Sequence, residues 1–222
     1  MIEPGHRLFA CGKTGSGKSL LLAYYFATVP GQRLLIDVND DYELGPAALE
    51  EGASNVRGDP AALDWSQRTL RYVPGRLDPL EYEDLYRVVW ERACRGHKLF
   101  VWLDECLGPT TESRCPMHLK LAITQGRKKE LTHGGAGQRP VGIEKTIVNQ
   151  AEHLFAFFTA DRDDVDMLAR RMSVQPAELA GALDSLDEHG YLYHRLGQPS
   201  ITAFPPLPAE RLQTIRRHVR MP

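Results

Sequence analysis

Gly12-Lys13-Thr14-Gly15-Ser16-Gly17-Lys18-Ser19 matches the pattern Gly-x-x-x-x-Gly-Lys-Ser/Thr. Glycines at these spacings let consecutive backbone N–H groups turn inward around a polyphosphate. A helix starting directly afterwards adds its positive N-terminal end to the same anion. In such a loop Lys18 reaches the β- and γ-phosphates and the Ser19 hydroxyl ligates Mg²⁺. The binding segment runs from Gly12 to Leu20, with Lys18 also a catalytic candidate because it meets the phosphoryl group that would be transferred.

A phosphate loop of this kind needs an acidic partner on a neighbouring strand. Residues 99–105, Leu-Phe-Val-Trp-Leu-Asp-Glu, supply an apolar run ending in two carboxylates. Asp104 at the strand terminus is placed to hold Mg²⁺ through water. Glu105, one residue on, is placed to polarise an attacking water as a general base, which suits hydrolysis. A buried strand followed by two solvated acids is the plain alternative for the same residues.

The elements that must position these groups follow from periodicity. Apolar runs at 7–11, 33–38, 69–73, 99–103 and 153–159 read as strands, and helical spacing over 17–28, 80–95 and 117–129 falls between them. Alternation of this kind predicts an α/β fold, a P-loop NTPase with a mainly parallel central sheet covered by helices. From Asp161 the pattern changes to two helices (163–172 and 176–188), a hairpin within 190–204, a Pro-rich exit at Pro205, Pro206 and Pro208, and a basic terminal helix over 209–220. The expected organisation is an ATPase core over 1–160 and a C-terminal segment over 161–222 packed on it as one domain.

The 222 residues are 42% hydrophobic, 25% charged and 8% aromatic, the composition of a globular protein rather than a disordered or fibrous one. No apolar run approaches the ~18 residues of a membrane span, and the apolar stretch at 8–11 runs into glycine and lysine rather than a cleavage site. Cys11, Cys94, Cys106 and Cys115 form no C-x-x-C pair, so reduced thiols are expected. A formal net charge of −2 leaves any nucleic-acid contact to local patches. Those are Arg127 to Lys129, Arg170 with Arg171, and the tail Arg211, Arg216, Arg217 and Arg220. The plain reading of each is a solvated helix face. The loop 106–117, following the two carboxylates, is a candidate for converting nucleotide state into movement.

Beyond the two phosphate-site motifs, Gly126-Arg127 is followed eleven residues later by Gln138-Arg139-Pro140, and 34–42 contains Leu-Leu-Ile-Asp, then Asn39, Asp40 and Tyr42. This order resembles the FtsK/HerA superfamily of DNA-translocating ATPases over residues 5–208. The strand before Gln138 is apolar in that superfamily, whereas 132–137 is glycine-rich and a poor β-former. It is either a strand packed tightly on a neighbour or a loop. The short chain, with its phosphate loop at residue 12, most resembles the minimal genome-packaging ATPases of membrane-containing icosahedral viruses with double jelly-roll capsids.

The resemblance implies ATP and Mg²⁺ as cofactors, double-stranded DNA as partner, and a homo-oligomeric ring, pentamer or hexamer. It also implies Gln138 at the catalytic centre and Arg127 as an arginine finger entering a neighbouring subunit's site. For Arg127 the alternative is a cap at a helix C-terminus. The expected setting is the host cytoplasm or the packaging vertex of the virion, with capsid or viral membrane proteins as docking partners. Rival readings are a plasmid- or transposon-borne DNA pump with the same core, a small nucleotide kinase, and a P-loop protein that binds nucleotide only as a structural switch.

Overall fold

The computed structural model describes residues 2–76, 78–111 and 114–221. In chain order its elements are β1 (Arg7–Cys11), α1 (Lys18–Thr28), β2 (Gln32–Ile36), β3 (Glu43–Leu44), α2 (Pro46–Glu50), β4 (Ala53–Arg57), β5 (Thr69–Val73), α3 (Pro79–Cys94), β6 (Leu99–Leu103) and α4 (Met117–Gln125). Then come β7 (Leu131–Gly137), α5 (Lys145–Gln150), β8 (His153–Ala156), α6 (Arg162–Met172), α7 (Pro176–Asp184), β9 (Tyr191–Arg195), β10 (Thr202–Phe204), α8 (Ala209–His218) and β11 (Val219–Arg220). Nine strands form one sheet in the order β10-β9-β8-β1-β7-β6-β2-β5-β4. The seven from β8 to β4 are parallel, while β9 and β10 extend that sheet antiparallel past β8. The α/β fold with a mainly parallel sheet expected from the alternation is the one observed.

Side-chain alternation along each central strand divides the core in two. Phe9, Cys11, Leu34, Ile36, Val101 and Leu103 point to the face covered by α3, α4 and α6. Leu8, Ala10, Leu35, Phe100 and Trp102 point to the face where α1 contributes Leu21, Leu22 and Phe26 and α8 contributes Ile215. Every residue of β1, β5, β6 and β7 is buried, as expected for strands covered on both faces.

The glycine-rich segment is a strand. β7 lies between β1 and β6, pairing Cys11 with Gly137 and Leu103 with Gly135. Its missing side chains make room for bulky neighbours. A Cβ on Gly134 would sit 3.3 Å from Leu22 and 3.4 Å from Phe100, one on Gly135 2.8 Å from Cys106 Sγ, and one on Gly137 2.4 Å from Ile143. Propensity is overridden here by packing.

Several boundaries differ from the sequence expectation. β2 stops at Ile36 because Asp37 turns the chain, accepting hydrogen bonds from the N–H groups of Asp41 (2.9 Å) and Tyr42 (3.1 Å). α4 tightens into a 3-10 turn over Gly126–Lys129 and ends where Glu130 takes a left-handed conformation. α7 ends at Asp184, and the terminal helix at His218, after which Val219 and Arg220 pair with Leu44 and Glu43. β3, α2 and β4 carry no expectation from the sequence. β4, Ala-Ser-Asn-Val-Arg at the sheet edge, is half-exposed and lacks the apolar run of a buried strand.

Candidate functional site

β1, β2, β6 and β7 run parallel, so their C-terminal ends form one crest, where open α/β sheets bind ligands. Cys11 delivers the chain to Gly12, Ile36 to Asp37, Leu103 to Asp104, and Gly137 to Gln138. The loop from Gly12 to Gly17 needs its glycines: Gly12, Gly15 and Gly17 all have positive φ, and a Cβ on Gly12 would lie 2.7 Å from Phe157 Cβ. Phe157 N–H donates to Cys11 O at 2.8 Å and Lys13 N–H to Phe158 O at 3.0 Å, so the residues after β8 hold the loop from one side. Thr14 and Gly15 lie exposed at its tip. Gly17 caps α1 with no side-chain hydrogen bond, leaving the first-turn amides of Lys18, Ser19 and Leu20 directed into the loop.

Lys18 is buried, and its ammonium donates to Gly12 O at 2.8 Å and Lys13 O at 2.9 Å, spanning the loop. Burial pushes its pKa below the ordinary lysine value, partly offset by Glu105, Cys11 and Asp104. Ser19 Oγ donates to Asp104 Oδ1 at 3.2 Å, bringing the phosphate loop and the β6 terminus together. Burial raises the Asp104 carboxyl to about 6 against the pull of hydrogen bonds from Tyr42 and Ser19. Glu105 is raised as well, chiefly by burial, and accepts a hydrogen bond from Leu107 N–H at 3.0 Å. Cys106 N–H donates to Ala136 O at 2.8 Å, tying the residue after Glu105 to β7.

These groups fit a magnesium nucleotide. Among the described residues Lys18 has no carboxylate within ion-pair distance, and the buried Ser16 hydroxyl has no hydrogen-bond partner. Both are what an anion in the loop would satisfy. Ser19 Oγ and Asp104 present the hard oxygen donors that Mg²⁺ takes. The cleft beside the loop has a volume of about 280 Å³ and is lined by Gly15 to Leu20 with Asp41, Tyr42, His189 and Met221.

Gln138 is exposed at the end of β7, one position beyond the Cys11–Gly137 pair and therefore level with Gly12. Arg139 turns away to Asp161 (2.8 Å) and Asp164 (3.1 Å), fastening the start of α6. Arg127 is at the opposite end of the sheet: its carbonyl packs against Gly5, ahead of β1, and its exposed guanidinium lies 3.7 Å from Glu152. Within one chain it is not brought to the phosphate loop.

Of the other basic residues, Arg171 donates to Val148 O and Ala151 O at the end of α5, and Arg211 lies over the Tyr24 ring at 4.9 Å. Lys128, Lys129, Arg216, Arg217 and Arg220 are exposed, and Arg170 bonds its own helix at Asp166 O. In the loop 106–117, Glu112 and Ser113 lie outside the described residues; Thr110 Oγ1 donates to Cys106 O at 2.8 Å. His189 and Met221 at the cleft carry no signal in the sequence: they arrive from a turn before β9 and from the residue following β11, far from the motifs in the chain.

No family model and no curated protein sequence matches the chain. Solved structures do. The chain is similar to the genome-packaging NTPase B204 of Sulfolobus turreted icosahedral virus 2 in complex with ATPγS, at 16% identity and a TM-score of 0.77, covering 93% of this chain and 100% of B204. The DNA-packaging ATPase B204 of Sulfolobus turreted icosahedral virus matches at 17% identity and a TM-score of 0.73, over 93% and 100% of the two chains. Two ATPase modules of EssC from Geobacillus thermodenitrificans match at 13% identity and a TM-score of 0.61, over 96% of this chain and 43% of EssC. The chain therefore has the fold of these P-loop ATPases, matched along the full length of the viral packaging protein.

Proposed function

We propose that the chain is a Mg²⁺-dependent ATPase that moves double-stranded DNA, acting as a viral genome-packaging motor. The observation that carries this reading is the Ser19–Asp104 contact of 3.2 Å beneath a glycine cradle, with Glu105 adjacent, on a fold shared from end to end with a packaging NTPase. Amides of the Gly12–Leu20 segment and Lys18 hold the triphosphate. Ser19 and Asp104 hold the metal, which offsets charge on the phosphoryl oxygens.

Glu105 orients the attacking water and takes its proton. The same carboxylate accepts from the Leu107 amide through Oε1, which leaves it acceptor capacity for a water. Gln138, level with Gly12, supports the water or the γ-phosphate from the β7 side. Arg127 lies too far from its own loop to serve it, and the reading gives it to the neighbouring site in a ring of five or six subunits. A ring closed in this way leaves DNA on its axis, and capsid or membrane vertex proteins as docking partners.

The test is phosphate release by the purified chain, with and without double-stranded DNA and with no small-molecule acceptor. Expected are turnover that DNA raises several-fold, loss of nucleotide binding in Lys18→Ala, and at least 100-fold slower turnover with binding retained in Glu105→Gln. Turnover indifferent to DNA would sink translocation, and turnover that requires a nucleoside acceptor would make the protein a kinase.

A further inference from the structure

Two buried carboxylates stand side by side at the crest of the sheet. Ile36 pairs with Leu103, and the ladder runs one residue further, Asp104 N–H donating to Ile36 O at 3.2 Å. Asp37 and Asp104 are therefore level on neighbouring parallel strands. Alternation places both on the face of Leu35 and Trp102, the face that α1 covers. Asp37 is 0% and Asp104 8% exposed. Like charges taken out of water side by side each need compensating groups.

The two acids are compensated differently. Arg71 donates to Asp37 Oδ2 through Nε (2.9 Å) and Nη2 (2.6 Å), and the N–H groups of Asp41 and Tyr42 donate to Oδ1 (2.9 Å) and Oδ2 (3.1 Å). With a guanidinium and two amides on it, Asp37 is committed to the fold. Asp37 carries an ion pair with Arg71, whereas among the described residues Asp104 carries none. What holds Asp104 is a pair of hydroxyls: Ser19 Oγ donates to Oδ1 at 3.2 Å, and the Tyr42 hydroxyl donates to the same carboxylate.

Tyr42 spans the space between the two acids. Its N–H is on Asp37, and its ring packs against Trp102 with centroids 5.1 Å apart, two positions before Asp104 on the same face. From there the hydroxyl reaches Asp104 beside Ser19. The side chain is buried, and it lines the cleft together with Lys18 and Ser19.

We infer that Tyr42 is the positioning residue of the metal site: its hydroxyl fixes the Asp104 carboxylate beside the Ser19 hydroxyl in the orientation that receives the Mg²⁺ of the nucleotide. The inference rests on the Ser19–Asp104 metal reading above and adds a residue that neither phosphate-site motif contains. Held by Ser19 alone, the carboxylate would keep the broad, two-fold rotation of an aspartate χ2. A second donor, itself fixed by Trp102 and Asp37, removes that freedom before the metal arrives. The hydroxyl also differs from the guanidinium on Asp37 in the way a metal site requires. Being neutral, it orients the carboxylate without cancelling its charge, which stays available to a hard cation.

The test is calorimetric ATP binding to the full chain in excess EDTA and in saturating Mg²⁺, the ratio of the two affinities being the factor by which the metal tightens the nucleotide. Tyr42→Phe deletes one oxygen and keeps the ring that packs on Trp102. It should lower that factor by about tenfold or more, with ATP affinity in EDTA within about twofold of the wild type's, which also shows that the fold and the phosphate loop are intact. Phe26→Leu is the packing control, since Phe26 meets the same Trp102 ring at 5.8 Å and carries no polar side-chain atom. It should lower the urea midpoint and leave the factor unchanged. A Tyr42→Phe factor within about threefold of the wild type's overturns the inference. An equal loss in Phe26→Leu also overturns it, because the effect would then come from packing around Trp102. A wild type that binds ATP equally in EDTA and in Mg²⁺ removes the metal reading itself, a result distinguishable from failure of Tyr42 alone.

Discussion

Asp104 shows how a site residue can cost the fold stability. Its carboxyl is buried beside Glu105 and Asp37 and titrates at about 6, above the ordinary 3.8. A raised acid stabilises the folded chain only while protonated. That contribution is complete below about pH 4 and is lost as pH rises through 6. At pH 7 the metal-free chain therefore carries an unfavourable buried charge. Asp104→Asn should raise its unfolding free energy by about 2 kcal/mol at pH 7, with the gain vanishing below pH 4, while Mg²⁺-dependent ATP binding weakens. Chemical denaturation across pH, paired with ATP titration, checks both halves. An equal gain at pH 4 and pH 7 would show that the charge is not its source.

Among the elements, β7 has the sequence least suited to its place. Gly135 faces Cys106, and the Cys106 backbone in turn anchors the turn that carries Glu105. Gly135→Ala should cost about 1–3 kcal/mol by overpacking, and Cys106→Ala in the same chain should recover most of that loss by giving the new methyl its space. Urea unfolding of the two single variants and the double variant measures the coupling, and strictly additive losses would mean that the strain is relieved elsewhere.

The same central strands carry two buried histidines. His133 shares a hydrogen bond with Tyr86 at 2.8 Å, and His153 bridges His6 (2.9 Å) and Tyr193 (2.8 Å). Burial lowers each to about 3 from 6.5. A lowered histidine contributes stability that is present above pH 6.5 and lost as pH falls towards 3. Unfolding at pH 5 should take up about two protons from this pair. His133→Gln should remove about one of them, read from the slope of stability against pH.

For the whole molecule the informative residue is Arg127. The sheet separates it from its own phosphate loop, and its guanidinium is exposed beside Glu152. If a neighbour's site is its target, rings mixed from Arg127→Ala and Lys18→Ala subunits should recover ATP turnover that neither variant shows alone. A contact in which the Arg127→Ala subunit offers its loop and the Lys18→Ala subunit its arginine pairs an intact loop with an intact finger; the reverse order lacks both. Mixed rings, verified by differently tagged subunits, that stay inactive would return Arg127 to a structural role. Among the described residues no helix is long and apolar enough to cross a membrane.

Local spacing by itself determined the chemistry on offer and the order of the elements. The Gly12–Ser19 loop, the apolar run into Asp104 and Glu105, and the strands at 7–11, 69–73 and 99–103 are short-range patterns, so they were legible before any fold was known. What the chain could not disclose locally is whatever depends on neighbours distant in sequence. Gly134, Gly135 and Gly137 form a central strand because Phe9, Phe100, Leu22, Cys106 and Ile143 fill the space a side chain would need. Edge strand β4 and the small β3–β11 sheet exist through pairing rather than propensity. The small apolar pocket that adjoins the phosphate loop is walled by residues from 17 to 212, gathered around Gly17 and His189 only when β8, β9 and α8 pack against α1. A motif of eight residues carries its own geometry, whereas a pocket lined from five segments acquires its geometry only when the chain has folded.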